Sequence, residues 1–228
     1  MDYIYTAFHQ AHVDGTPVVQ PLWFQYPKDP ATFPIDLQFL YGDSILVSPV
    51  TEDDATSVSI YLPADTFYDF GTLAPVRGEG KRVVLDDVSF TEIPVHIRGG
   101  AVVPMRVASA MTTAGVREKD FEFVVAPGGD GRATGRLYVD DGVSEGEGGG
   151  ATEVRMEFGE GELVVRGEFG YGTGVGVARV RFLGVWDPPT RVWVDGEAWG
   201  GFWYDGDRKV LDVRVGLPFD RGFSVGFA

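Results

Sequence analysis

The chain has 228 residues, 44% of them hydrophobic and 13% aromatic, with a formal net charge of −15, so it has the means to bury one large core or two ordinary ones and is not a disordered sequence. No run of Lys or Arg relieves the acidity, which argues against nucleic acid and anionic membrane as partners. With no cysteine a disulfide, a thiol nucleophile and a thiolate metal site are excluded, and no apolar run approaches the ~20 residues that span a bilayer.

Along residues 3–12, Tyr5, Phe8 and His12, or Ile4, Phe8 and Ala11, recur at helical spacing, and Asp14-Gly15 supplies a stop. Met1 brings neither an N-cap nor a charged region leading into an apolar signal core. The expectation is therefore a chain that starts in mid-helix, as the tail of a larger enzyme. The run Val18-Val19-Gln20-Pro21-Leu22-Trp23-Phe24 is almost wholly apolar, as in strands buried on both faces of a parallel sheet. Each of its five large apolar side chains gains about 1.5–3 kcal/mol from full burial, so in isolation the segment should be frayed, docked on the β-rich remainder of the chain, or aggregation-prone. Past a loop with Pro27, Pro30 and Pro34, residues 35–42 read as a second helix ending at Gly42. Helix, tight turn and buried strand is the rhythm of an α/β barrel, but one strand and two helices cannot close a barrel of eight.

From Ser44 onward the reading turns to strands: 45–50, then 57–62 with period-two alternation and a stop at Pro63, then 67–70, 82–85, 93–98 and 101–104. Residues 112–119 form a polar connection. Residues 121–126 and 135–140 alternate about a glycine-rich turn at 127–131, and further strands follow at 153–158, 162–169, 178–183, 191–194, 210–215 and 223–227. The expected fold is mainly β: two consecutive antiparallel β-sandwich domains preceded by the last strand and helices of a truncated TIM (β/α)8 barrel. The divisions fall at 1–48, 49–110 and 111–228.

Few residues invite chemistry. His9 and His12 lie three apart on a helix, yet two imidazoles without a third ligand are a weak metal signal, and packing or surface roles are the better account. His96 alternates with Val95 and Ile97 and reads as a sheet histidine. Asp140-Asp141-Gly142 with Glu145 and Glu147 offers oxygen ligands of the kind calcium takes; the spacing departs from the EF-hand loop, and Asp-Gly is ordinary turn chemistry. Arg98-Gly99-Gly100 reads as a turn. Trp186, Trp193, Trp199, Trp203 and Tyr204 form a cluster whose faces suit stacking on sugar rings, or core packing. No cofactor is called for, and the absence of asparagine excludes N-linked glycosylation within the chain.

An ordered set of strings carries a resemblance. Tyr3-Ile4-Tyr5-Thr6-Ala7-Phe8-His9-Gln10-Ala11-His12, Gly15-Thr16-Pro17-Val18, Pro21-Leu22-Trp23-Phe24, Tyr26-Pro27-Lys28-Asp29 and Asp36-Leu37-Gln38-Phe39-Leu40-Tyr41-Gly42 open it. Leu46-Val47-Ser48-Pro49-Val50, Ile93-Pro94-Val95-His96-Ile97-Arg98-Gly99-Gly100 and Gly135-Arg136-Leu137-Tyr138-Val139-Asp140-Asp141-Gly142 continue it. Together they resemble the carboxy-terminal third of glycoside hydrolase family 31. Met1-Asp2-Tyr3-Ile4-Tyr5 and Ser109-Ala110-Met111-Thr112-Thr113 lean toward its fungal secreted α-glucosidases, including α/β-glucosidases.

The resemblance implies an exo-acting, retaining α-glucosidase that releases terminal glucose, with its Asp nucleophile, Asp acid/base and the His and Arg of its pocket all upstream of the matching region. It implies no catalytic, substrate-binding, cofactor or metal residue in this chain and no activity of this chain alone, because retention needs two carboxyls about 5–5.5 Å apart. The substrate would reach the protein through the missing barrel, against which this chain packs, and the location would be extracellular. The alternative is a free-standing β-sandwich module for carbohydrate binding or cell-surface interaction, which would have no use for a barrel remnant.

Overall fold

The structure, a computed structural model, describes residues 1–144 and 150–228. Helix α1 (Asp2–Asp14) ends where Gly15 adopts a left-handed φ of 80° and its N–H closes on the Ala11 carbonyl at 2.9 Å, a conformation that only glycine takes without steric cost. Strand β1 (Val19–Pro21), one helical turn α2 (Leu22–Gln25), a 3-10 turn (Pro30–Thr32), β2 (Phe39–Tyr41) and β3 (Ile45–Val47) come next.

Two expectations for this segment fail. The run 18–24 is not a buried parallel strand: β1 has three residues and pairs antiparallel with β2, and the chain turns helical at Leu22. Pro21 has no N–H to extend the ladder, and its φ of −68° suits the residue that leads into a helix. Of the five large apolar side chains only Leu22 is fully buried, while Val19, Trp23 and Phe24 stay exposed.

Nor is 35–42 a helix. The buried amide of Gln38 accepts the Tyr61 N–H at 2.6 Å and donates to the Tyr61 carbonyl at 3.1 Å and to Ser48 Oγ at 2.9 Å. A side chain thus stands in for a strand neighbour, and satisfying those buried backbone groups holds the segment extended into β2.

The remaining elements are β4 (Val58–Leu62), β5 (Thr66–Asp69), β6 (Pro75–Arg77), β7 (Lys81–Leu85), β8 (Val95–Arg98), β9 (Ala101–Arg106), α3 (Thr113–Arg117), β10 (Phe121–Ala126), β11 (Ala133–Val139), β12 (Thr152–Gly159), β13 (Glu162–Phe169) and β14 (Gly176–Leu183). Then come β15 (Val192–Val194), β16 (Glu197–Ala198), β17 (Phe202–Asp205), β18 (Val210–Pro218) and β19 (Phe223–Phe227). The chain is mainly β. One sheet runs β1-β2-β3-β8-β5-β6, a ribbon pairs β4 with β7, and an eleven-stranded sheet runs β16-β15-β19-β13-β12-β11-β9-β10-β14-β18-β17.

The large sheet is jointed. Strands β9 and β11 meet through a single parallel bridge, Ala101 with Thr134, and the approach there is so close that a Cβ on Gly135 would lie 2.1 Å from the Val102 carbonyl oxygen. About this joint the two wings enclose one core, with Phe121, Phe123, Phe182 and Leu211 from one side and Leu137, Met156, Leu163 and Val225 from the other. Strands β10 and β14 also pair in parallel, against the antiparallel expectation: alternation tells which face a strand buries, not which way its neighbour runs.

Strand β10 is buried throughout. Phe121, Phe123 and Val125 face the enclosed core, while Val124 and Ala126 face a second core with Ile45, Tyr68 and Ile97 of the six-stranded sheet. The chain passes between the two sheets at Gly99-Gly100, where the Gly100 N–H meets the Ala126 carbonyl at 2.8 Å. Strand β9, on the near side of the expected division at 110/111, lies inside the large sheet between β10 and β11.

Candidate functional site

Helix α1 lies on β9 and β11 and is held there by polar groups. The Asp2 carboxylate accepts from Arg106 Nη2 at 2.7 Å and Nε at 2.9 Å, with side-chain exposures of only 9% and 4%. Arg106 Nη1 also donates to the carbonyls of Lys119 at 2.6 Å and Arg117 at 3.1 Å, and the guanidinium sits 3.7 Å over the Phe121 ring. Burial works against ionisation of Asp2, but the Arg106 hydrogen bonds and charge outweigh it and hold the carboxyl below its ordinary value.

One turn on, the Tyr5 hydroxyl donates to Asp140 Oδ1 at 2.8 Å, and Arg117 Nη1 donates to the Asp140 carbonyl at 2.6 Å. The Tyr138 N–H donates to Thr6 Oγ1 at 3.0 Å, His9 stacks on Tyr138 with ring centroids 3.6 Å apart, and Arg136 Nη1 donates to Gln10 Oε1 at 2.7 Å. The Tyr3 hydroxyl donates to the Tyr41 carbonyl and accepts the Ser44 N–H, each at 3.0 Å. Burial, then the Asp43 charge, pushes its phenol well above the usual range. Between α1, the turn at 42–44 and strands β11 and β12 lies a cleft of about 540 Å³ lined in part by Thr6, Gln10, Asp14, Asp43, Arg136 and Arg155.

Asp140 serves this docking, and Asp141 closes the turn beside it. Asp140 Oδ1 takes the Gly142 N–H as well as the Tyr5 hydroxyl, and Asp141 takes the Ser144 hydroxyl and the N–H groups of Ser144 and Val143. The Ser144 contacts foremost hold the Asp141 carboxyl at about 2. Glu145 and Glu147, the other residues of the calcium reading, lie outside the described residues. Among the described residues no group of three or more His, Asp and Glu gathers as metal ligands, and of the two α1 histidines His9 is stacked while His12 is exposed.

Arg98-Gly99-Gly100 is the turn between sheets, with Arg98 Nε donating to the Asp43 carbonyl at 2.9 Å. His96 is buried in β8, and its Nδ1 has no hydrogen-bond partner among the described residues. Burial pushes its pKa down against the pull of Asp69. Below about pH 6.5 the unfolded chain therefore takes up a proton that folded His96 refuses, so stability falls as pH drops through that value until the lower folded value is passed. In urea titrations between about pH 7 and pH 5, His96→Gln is expected to lose less stability on acidification than the parent chain; equal losses would remove His96 as the cause.

Trp193 on β15 and Trp203 on β17 lie near the two ends of the large sheet's strand order, and residues 199–201 join those ends, with the Trp199 N–H donating to the Val192 carbonyl at 2.9 Å and the Arg214 N–H to the Gly201 carbonyl at 2.8 Å. Trp193 Nε1 donates to Glu162 Oε1 at 3.0 Å, Trp199 Nε1 to the Arg214 carbonyl at 2.9 Å, and the Tyr204 hydroxyl to the Val185 carbonyl at 2.7 Å. Trp186 and Trp203 remain well exposed.

Two charge groupings escaped sequence reading because register makes them. Arg136, Arg155 and Arg166 stand directly opposite one another on β11, β12 and β13; Glu153, Glu157 and Glu168 on the neighbouring rungs cancel their charge. On the other wing Glu122, Arg179, Arg181 and Asp212 form an ion-pair network across β10, β14 and β18. Carboxylates interrupting the apolar strands 121–126 and 210–215 were the available signal. In the first 48 residues burial is partly inverted: Asp2, Gln20, Thr32, Gln38 and Ser44 are buried and Phe8, Val13, Trp23, Phe24, Phe33 and Leu37 are exposed, while Leu22, Ile35, Leu40, Ile45 and Leu46 are buried as usual.

Known proteins share both the sequence and the fold. Residues 15–103 match the profile of the glycosyl hydrolase family 31 C-terminal domain. A probable alpha/beta-glucosidase agdC of Neosartorya fischeri is 49% identical over 217 residues, covering 95% of this chain and 24% of that protein. The lysosomal alpha-glucosidase of Bos taurus is 31% identical over 250 residues, covering 100% and 26%. Among solved structures, the α3-Glc2-bound glucosidase II alpha subunit superposes with a TM-score of 0.85 at 29% identity, over 100% of this chain and 27% of its own. The chain spans about a quarter of the length of the curated relatives it matches.

Proposed function

The chain belongs to glycosyl hydrolase family 31, and from that premise we propose that it is the non-catalytic carboxy-terminal part of a retaining, exo-acting α-glucosidase that removes terminal glucose from oligosaccharides or glucans. Residues 1–48 lead out of a (β/α)8 catalytic barrel, residues 49–110 form a proximal β-sandwich whose sheet includes β1, β2 and β3, and residues 111–228 form a distal one that takes in β9. The reacting Asp pair stands on the barrel, about 5–5.5 Å apart as retention requires, and this chain braces that barrel. The parent enzyme acts outside the cell, as the fungal resemblance implies.

The observation that supports this most is the set of large apolar side chains left exposed in the first 48 residues, Phe8, Val13, Trp23, Phe24, Phe33 and Leu37. Exposed aromatic and aliphatic side chains beside buried, hydrogen-bonded polar ones suit a surface that another apolar body covers. The paired rings of Trp23 and Phe24, 4.7 Å apart, are part of it. A free-standing carbohydrate-binding module gains nothing from that face.

The test is hydrolysis. The purified 228-residue chain is expected to release no chromophore from a chromogenic α-glucoside; turnover that persists after rigorous removal of host glucosidase overturns the proposal.

A further inference from the structure

On the wing of the large sheet that ends at β17, one row of side chains points away from the enclosed core. Glu122 lies between core residues Phe121 and Phe123, Arg179 and Arg181 flank core residue Val180, and Asp212 lies between Leu211 and Val213. Strand alternation therefore sends all four to the opposite face, beside Val124, Leu183 and Val210, which pack on the six-stranded sheet, so that Glu122 is buried and the two arginines are partly open. Trp203, opposite Asp212 on the edge strand, ends the row and is 61% exposed.

These groups are ordered by one another. Arg181 Nε donates to Asp212 Oδ2 at 3.2 Å, and Arg179 Nη1 lies 3.6 Å from the same oxygen. Arg179 Nε donates to Glu122 Oε2, with Arg181 Nη2 3.8 Å away. Two carboxylates and two guanidiniums sum to zero charge. The two guanidiniums offer ten N–H donors, of which this network engages few, and about a quarter of each arginine side chain is open to solvent. Asp212 Oδ1 is buried and accepts nothing among the described residues.

We propose that this row, with Trp203 as its platform, is a binding site for a neutral pyranose oligosaccharide. An exposed indole offers a flat apolar face to the C–H face of a sugar ring, and partly open guanidiniums held rigid by largely buried carboxylates offer N–H donors to sugar hydroxyl oxygens. The cancelled charge disfavours an ionic ligand. An edge strand leaves the platform open on one side, so a chain of sugars can run past it. The site rests on the α-glucosidase reading only for the choice of probe; hydrolysis and binding are measured separately, so either can fail alone.

The test is a titration of the 228-residue chain with maltotriose, followed through the indole N–H signals and, in the variants, the backbone N–H signals of β17 and β18 in nitrogen-15 NMR. A saturable shift of the Trp203 signal at millimolar sugar, unmatched by Trp193, is expected, with affinity at least about tenfold weaker in Trp203→Ala and in Arg181→Ala. Should Arg181→Ala unfold, the exposed Trp203 position still decides. An unsaturated response, a shift centred on other tryptophans, or Trp203→Ala binding as tightly as the parent overturns the proposal, as does a face that takes up only a protein partner.

Discussion

Arg106→Ala is expected to cost about 3–5 kcal/mol, the range for stripping one partner from a buried ion pair. The side chain is 4% exposed and serves four acceptors at once: the Asp2 carboxylate, the carbonyls of Arg117 and Lys119, and the Phe121 ring face. Its removal leaves a buried carboxylate and two carbonyls to find other partners, and it releases α1 from β9. Asp2→Ala should also destabilise, by leaving the guanidinium buried without its countercharge. The two losses should not add, since both delete the same contact. Urea denaturation of the two single variants and the double variant measures this; a loss below about 0.5 kcal/mol for Arg106→Ala, the scale of ordinary surface changes, would show that α1 is held by something else. The sign with pH follows from the lowered Asp2 pKa. Its share of the stability is present above the unfolded carboxyl value of about 3.9 and is lost as pH falls through the lower folded value.

Phe123→Ala should be comparably damaging, at about 3–5 kcal/mol for a fully buried phenylalanine. Its ring lies 6.2 Å from those of both Phe219 and Phe223, in contact with elements of both wings. The surrounding strands are hydrogen-bonded on either side of β10 and cannot collapse into the void. The adjacent residue sharpens the comparison. Val124 points the other way, into the core shared with the six-stranded sheet, so Val124→Ala should also destabilise. In a sheet with one wet face, only one of two neighbouring residues does so. Chemical denaturation of each variant checks the layering; a neutral Val124→Ala would separate the two sheets.

The strands legible in sequence were those whose signal is local. Residues 121–126, 162–169 and 223–227 coincide with β10, β13 and β19, because period-two alternation and short glycine turns are written into neighbouring residues. Helix α1 was legible for the same reason, with Gly15 as its stop. The failures lay where a distant group decides. Residues 35–42 have a helical composition, yet the Gln38 amide is committed to the backbone of Tyr61. The apolar run 18–24 looked like a barrel strand, but Pro21 ends the ladder and begins a turn of helix.

The candidate site divides in the same way. Asp140-Asp141-Gly142 was recognisable as acidic turn chemistry, and its turn hydrogen bonds are local. Its use as the anchor for Tyr5, 135 residues away, was not recognisable. Five aromatics between 186 and 204 were recognisable as a group, but the partners that fix them, Glu162 for Trp193 and the Arg214 carbonyl for Trp199, were not.

What the sequence by itself determined is the mainly β character, the face each strand buries, the glycine turns, and through an ordered set of strings the family. Only the tertiary structure decided that β9 joins the large sheet, that β10 and β14 run parallel, that three arginines share a rung, and that Asp2 meets Arg106. The physical reason is range. Alternation and turn propensity act over a few bonds, whereas register and sheet closure are set by which distant strands satisfy each other's backbone groups while filling a common core.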